Sequence, residues 1–341
     1  MQKNMKITAL VAVFLVIAGV LIFLTMQQKT SKTAQPMPKV TIGIQVSQAN
    51  ALAMVAKDKG FFAEQGLEVE LKEFTAGKFA LQAFLSGSLD YCISGDVPPM
   101  LAAFQGNKFV VPAQLVKKTI NEVRIVARRD GTATTAEEFF KSKKRKLATS
   151  IGGGPEFYTY EFLNKLGISK DQVEIISQKP EDMPAALVSG SVDAIAIFDP
   201  FAYIAESQLK EKSQTFTDKE IYSELYIMEA KEEVKSNPAI LESVLRGLKQ
   251  AEQFTQDNPE EAKAIVIKYT KLDKSIIDAT WNNFEFKISL TNQLRDIWNR
   301  EAAWVKETGK VDRNSATPDF NTYIYADVLR KIDADSVELS N

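Results

Sequence analysis

The 341-residue sequence contains no histidine. That absence removes Ser-His-Asp and Cys-His catalysis, together with the commonest transition-metal ligand. It has one cysteine, Cys92, so no intrachain disulfide is available and no cysteine cluster binds zinc or iron–sulfur. Cys92 stands in an apolar run, where a buried inert thiol is expected. Basic excess is also missing. Lys and Arg number 42 against 44 Asp and Glu, a net charge of −2, so nothing suggests nucleic acid. No cofactor, metal site or catalytic constellation is expected; acid–base chemistry would fall to carboxylates, Lys or Tyr. What is present is 45% hydrophobic and 25% charged residues, an ordinary globular composition long enough for two core-forming units.

One long apolar run exists. Ile7 to Leu24 is broken only by Thr8 and Gly19, enough to span a bilayer. Lys3 and Lys6 precede it, and Lys29 and Lys32 follow. Residues 1–33 are therefore expected to be a signal anchor and the start of a linker. The chain would sit on the cell membrane with its bulk extracytoplasmic, periplasmic or at the cell surface. A cleaved secretory signal is the rival reading, but no small-x-small cleavage site stands at the right distance. No cysteine follows the run, which excludes a lipoprotein anchor. Gln35-Pro36-Met37-Pro38 reads as an extended linker.

From Lys39 onward, short alternating strands are separated by helical stretches. Strands are expected at Lys39–Ile44, Leu67–Phe74, Tyr91–Ile93, Val110–Leu115 and Arg124–Ala127, with a crossover at Arg128–Gly131. Further strands are expected before Ser150, at Val173–Ser177 and at Asp193–Phe198, and a returning strand at Tyr222–Met228. Strands alternating with helices mean βαβ units and parallel sheet. The remainder reads as mainly helical, including Ser275–Phe284 and Asn292–Glu307. The run Lys143-Lys144-Arg145-Lys146 reads as a solvated loop. An internal repeat supports two similar halves: Ser86-Gly87-Ser88-Leu89-Asp90 matches Ser189-Gly190-Ser191-Val192-Asp193, and the same offset carries Asp96 to Asp199. The expected division is 39–127 for the first part of lobe 1, 128–222 for lobe 2, and 223–341 for the return and C-terminal helices.

Candidate ligand contacts lie at loops after strands, where ligands of open α/β sheets bind. The stretch Ile151-Gly152-Gly153-Gly154-Pro155-Glu156-Phe157 reads as a glycine turn into a helix, with proline near the first helical position. Free N–H groups at the positive end of the helix favour an anion or polar group; an ordinary tight turn is the alternative. It is no Walker loop, since neither Lys-Ser nor Lys-Thr follows, and it does not fit GxGxxG. Asp96 and Asp199 occupy matching loops, as cleft carboxylates for an amino group or as helix caps. Phe157, Tyr158, Phe198 and Phe201 read as pocket walls or as core. Trp281, ahead of Asn282-Asn283, reads as a cleft cap or as core.

These features resemble the nitrate/sulfonate/taurine-type substrate-binding proteins of ABC importers, a group that includes thiamine-precursor binders. The resemblance covers about Lys39 to Ala230. It rests on Gly60-Phe61-Phe62-Ala63-Glu64-Gln65-Gly66-Leu67-Glu68-Val69, on Gly87-Ser88-Leu89-Asp90 with Gly95 and Pro98, on the triple-glycine loop, and on Gly190-Ser191-Val192-Asp193 ahead of Phe198-Asp199-Pro200-Phe201. It implies an α/β, bilobal periplasmic-binding-protein-like (type II) fold, with two parallel-type sheets, flanking helices and a ligand cleft between lobes. It also implies Ser47, Gln48, Ala49, Ser94, Gly95, Asp96, Gly153, Gly154, Glu156, Phe157 and Asp199 as ligand-binding positions, to which the residue reading adds Trp281. The implied partners are a small-molecule ligand, a permease and an ATPase, with a monomeric protein expected. The ligand would be a sulfonate or taurine-like molecule, with an amino-pyrimidine as the alternative. A histidine-consuming pyrimidine synthase of the same fold is excluded by composition. An enzyme of the same fold using Asp96, Asp199 or Glu156 is a second reading, and a ligand-sensing module presented to a membrane sensor a third.

Overall fold

Residues 37–118, 123–131, 133–169, 171–218 and 220–340 are described by a computed structural model of the chain. The apolar run Ile7–Leu24 lies outside these residues, and among those described no helix is long and apolar enough to cross a membrane.

Two sheets carry the strands. The chain enters the larger one with β1 (Lys39–Gln45), β2 (Glu68–Phe74), β3 (Tyr91–Gly95) and β4 (Val110–Lys118). It then builds the smaller one with β5 (Arg124–Arg128), β6 (Arg145–Thr149), β7 (Val173–Ser177), β8 (Ala194–Ile197) and β9 (Ser213–Phe216). It returns to the larger sheet with β10 (Leu225–Ala230), β11 (Phe284–Thr291) and β12 (Val337–Glu338). The orders are β12-β11-β4-β10-β3-β1-β2 and β7-β6-β8-β5-β9.

Each sheet has a parallel heart, β1 beside β2 and β3, and β6 beside β7 and β8. The sheets are nevertheless mixed rather than wholly parallel. β10 runs antiparallel between β3 and β4, and β5 antiparallel between β8 and β9. These antiparallel strands are the first that the chain enters after each of its two passages between sheets. The first passage also falls earlier than Arg128–Gly131, because Arg124–Arg128 is already a strand of the smaller sheet. The segment expected as one helix over Ser275–Phe284 divides instead. A helix ends at Thr280, a 3-10 turn covers Trp281–Asn283, and β11 starts at Phe284. Phe284, Phe286, Ile288 and Leu290 alternate inward along β11, the period of a strand.

The repeated Gly-Ser-x-Asp motif has a shared physical role. Gly87 and Gly190 both adopt left-handed backbone after a helix, with φ of 85° and 81°. The aspartate that follows then reaches back to the first strand of the parallel part of its sheet, β1 or β6. Asp90 Oδ2 accepts from Thr41 N at 2.8 Å, and Asp193 Oδ2 from Lys146 N at 2.8 Å. The backbone adds a reciprocal bond in each case, Asp90 N to Thr41 O and Asp193 N to Lys146 O. Each sheet is therefore clamped at one end by the same carboxylate-to-amide bond, which fixes where its loops at the other end project.

Helix Ala239–Asp257 packs on the helices Ala51–Asp58 and Phe61–Glu64 beside the larger sheet. Gly247 makes this approach possible, since a Cβ there would lie 2.8 Å from the Phe62 ring. Gly247→Val should cost about 1–3 kcal/mol through overpacking. Combined with Phe62→Ala it should cost less than the sum of the two single changes. Urea denaturation of the three variants checks this; strict additivity would mean the two residues do not share a contact.

Candidate functional site

The C-terminal ends of β1, β3, β6 and β8 point into one cleft between the two sheets. It narrows to a cavity of about 20 Å³ bordered by Gln45, Gly77, Lys78, Gly95, Gly154 and Glu224, among others. That is room for about one water. Close backbone approach explains the glycines. A Cβ on Gly77 would stand 3.1 Å from Ser94 Cα, and Cβ atoms on Gly95 and Gly154 would stand 2.2 and 2.7 Å from Glu224 Oε1. Gly154 opens the helix Gly154–Lys165, whose positive end therefore faces a carboxylate.

Polar side chains on the cleft wall are tied together. The Glu224 carboxylate pairs with Lys118, both nearly sealed from solvent. Lys118 Nζ also lies over the rings of Tyr226 and Phe198, 4.8 and 5.5 Å from their centroids. Gln45 Oε1 accepts from the Tyr226 hydroxyl at 2.6 Å and from Gly77 N at 3.2 Å. Two bonds from one lysine span the cleft: Lys78 Nζ donates to Ile151 O at 2.9 Å and to Ser150 Oγ at 3.3 Å. Burial depresses the Lys78 pKa, partly offset by Glu156 and Glu181.

Of the candidate contacts and pocket walls singled out from the sequence, Gly95, Gly153, Gly154 and Phe198 border this cavity. Neither aspartate presents a free carboxylate. Asp96 is fully buried and accepts from the Tyr222 hydroxyl and, at 2.9 Å, from Leu225 N. It makes no helix-capping bond. Asp199 is clasped by Arg124 through two contacts of 2.9 Å, and accepts from Asn283 Nδ2 at 3.1 Å and Tyr203 N at 3.2 Å. The Asn283 bond joins a loop of the smaller sheet to the turn before β11 of the larger one. Ser94 is occupied inside the larger sheet, donating to Glu229 at 2.5 Å. Ser47, Gln48 and Ala49 form a buried turn after β1, where Gln48 Nε2 bonds Thr280 while Ser47 Oγ and Gln48 Oε1 are buried without partners. Phe157 is core, packed on Tyr222 and Trp304, and Trp281 stacks on Phe286 at 4.8 Å between centroids.

Glu156 is not among the residues bordering this cavity. It accepts from Gly152 N at 2.8 Å and pairs with Lys310 at 2.6 Å. It lines a separate pocket of about 600 Å³ with Tyr160, Leu163, Trp304 and Arg313. Conversely, Gln45, Lys78, Lys118, Glu224 and Tyr226 border or face the cleft and were absent from the sequence-derived set. None belongs to a local motif. Lys118 and Glu224 meet only because the two passages bring β4 and the start of β10 together.

Several buried carboxyls have their pKa values raised by their surroundings. Desolvation, then the nearby Glu224, push Asp96 up to about 7, and the same causes with Asp96 itself push Glu301 well above the carboxylate range. Glu229, inside the larger sheet, is pushed up to about 8 by desolvation against hydrogen bonds from Ser94 and Cys92. Among the described residues no group of acidic or cysteine side chains is arranged to hold a metal ion.

The model of the NMT1-like family matches residues 33–269. A protein of Brucella abortus (strain 2308), provisionally named a binding protein, is 27% identical over 243 residues, 68% of this chain and 72% of that one. A protein of Escherichia coli (strain K12), provisionally named an aliphatic sulfonates-binding protein, is 27% identical over 207 residues, 60% of this chain and 63% of its own. Among solved structures, the periplasmic aliphatic sulphonate binding protein SsuA from Escherichia coli superposes with a TM-score of 0.73 at 21% identity, covering 84% of this chain and 97% of that one. The likeness identifies the fold as periplasmic-binding-protein-like.

The raised carboxyls set a pH dependence. Their folded pKa values lie above those of the unfolded chain, roughly 4, so the folded state holds more protons between. Their contribution is fully present below the unfolded values and is lost as pH rises through about 7 for Asp96 and about 8 for Glu229. Glu229→Gln keeps the acceptor for Ser94 and removes the titration. The drop in urea midpoint from pH 5 to pH 8 should be smaller in this variant than in the wild type. An equal drop would show that Glu229 titrates normally.

Proposed function

This chain belongs to the NMT1-like family, and from that membership we propose that it is the extracytoplasmic solute-binding component of an ABC importer. It takes a small organic molecule with an anionic end into the cleft between two lobes, one on each sheet. It works by lobe closure and delivery to a permease and its ATPase, without changing the ligand chemically. Residues 1–33 serve to hold it at the membrane.

The observation that carries this reading is the cleft itself. The C-terminal strand ends of both sheets face one another, and the wall offers Lys118, Lys78 and a helix N-terminus to an anion. The hinge then lies where the chain passes between the two sheets, after β4 and before β10, a closure of the kind that contacts to both lobes drive. The Lys78 bonds to Ile151 and Ser150 and the Asn283 bond to Asp199 are contacts that closure makes. A sulfonate is the favoured ligand, on the names of the relatives. A flat amino-pyrimidine is the second reading, favoured by the Phe198 and Tyr226 rings beside a carboxylate.

Thermal shift with alkanesulfonates, taurine, nitrate and amino-pyrimidines tests the reading. A ligand at about 100 times its Kd should add roughly 2.7 kcal/mol to stability, a shift of several degrees. Gly153 has extended backbone, and a Cβ there meets nothing closer than 3.7 Å. Gly153→Leu should therefore fold normally and lose the shift. No stabilisation by any of the panel would overturn the ligand classes proposed.

A further inference from the structure

The cleft already contains an anion. Glu224 holds its carboxylate against Lys118, in a space shaped by one glycine from each sheet. Side chains at Gly95 or Gly154 would collide with Oε1, at 2.2 and 2.7 Å from their Cβ positions. Gly154 is also the first residue of a 12-residue helix, so the carboxylate sits at the positive end of its dipole. The cavity left beside it, about 20 Å³, admits no organic molecule. Glu224 stands on the passage by which the chain returns to the larger sheet, immediately before β10. A side chain there moves with the hinge.

Resting on the solute-binding reading above, we infer that Glu224 is a resident stand-in for the anionic head of the ligand. Its carboxylate occupies the seat between Lys118 and the helix end when the cleft is shut, and an organic anion binds by displacing it. Ligand affinity is then lowered by the fraction of molecules in which the seat is taken. The competition selects heads that bind Lys118 and the helix end better than a tethered carboxylate does.

The test is calorimetric titration of the purified full chain with 1-butanesulfonate. Glu224→Gln preserves the shape of the side chain and removes its charge. It should bind about tenfold or more tightly than the wild type, a gain of about 1.4 kcal/mol. Glu224→Asp keeps the charge but withdraws it by one methylene, and should give a smaller gain in the same direction. The double change Glu224→Gln with Lys118→Met leaves no unpaired buried charge from this pair, and should lose the gain. Circular dichroism confirms that each variant folds.

A Glu224→Gln variant that binds butanesulfonate no more tightly than the wild type overturns the inference. So does a double variant that keeps the gain. Weakened taurine binding in Glu224→Gln with unchanged butanesulfonate binding would make Glu224 a direct partner of the ligand's ammonium group; the displacement idea then falls while the solute-binding reading stands. Failure of both proteins to bind any sulfonate also sinks displacement, and the amino-pyrimidine arm of the thermal-shift panel then decides the solute-binding reading by itself.

Discussion

Asp96 joins three distant parts of the chain at one buried carboxyl. It stands at the end of β3, takes hydrogen bonds from Tyr222 and Leu225 on the returning passage, and offers its carbonyl to Trp298 Nε1 of the helix Asn292–Glu307 at 2.9 Å. Removing a carboxylate from water is costly unless its oxygens are bonded or protonated. Here both remedies operate: two donors meet its oxygens, and its pKa is raised to about 7 beside Glu224 and Glu301. The return passage is thus pinned to the larger sheet at its far end.

The cleft has two lips because the same solution is used twice. In each half a left-handed glycine ends a helix, and the aspartate three residues on clamps the opening strand. The clamp lies at the end of the sheet away from the cleft. The strands' C-terminal ends are left to carry loops whose composition is unconstrained by that bond. The halves diverge where they meet: the loop of one carries Asp96, turned inward to the hinge, and the loop of the other carries Asp199, neutralised by Arg124. Equivalent positions therefore do different work, one holding the joint and the other tying the smaller sheet to Asn283.

Local pattern explains what was legible in the sequence. Period-two alternation located most strands, glycines marked helix ends, and the repeat revealed two similar halves with a cleft at their strand ends. β11 carried the same alternation in Phe284, Phe286, Ile288 and Leu290, but it lies between helices and was absorbed into them. Glu156 is a ligand position only through the resemblance, and in the structure its carboxylate is engaged by Gly152 N and Lys310. The pairings Lys118–Glu224 and Arg124–Asp199 had no local signal at all. Each unites residues at least 75 positions apart, brought together by the passages between sheets.

Those two ion pairs decide what charge the cleft presents. With Asp199 committed to Arg124 and Asp96 to the joint, the expected pair of free carboxylates does not exist. The groups in reach are Lys78, Lys118 and Glu224. Lys118 is buried, and its pairing with the Glu224 carboxylate offsets part of the cost of holding a cation away from water. Lys78 is less constrained: it is half-buried, and its bonds to Ile151 and Ser150 are to neutral oxygens that water can replace. On the solute-binding proposal, a neutral ligand would satisfy only Lys78, whereas an anionic one would satisfy both lysines.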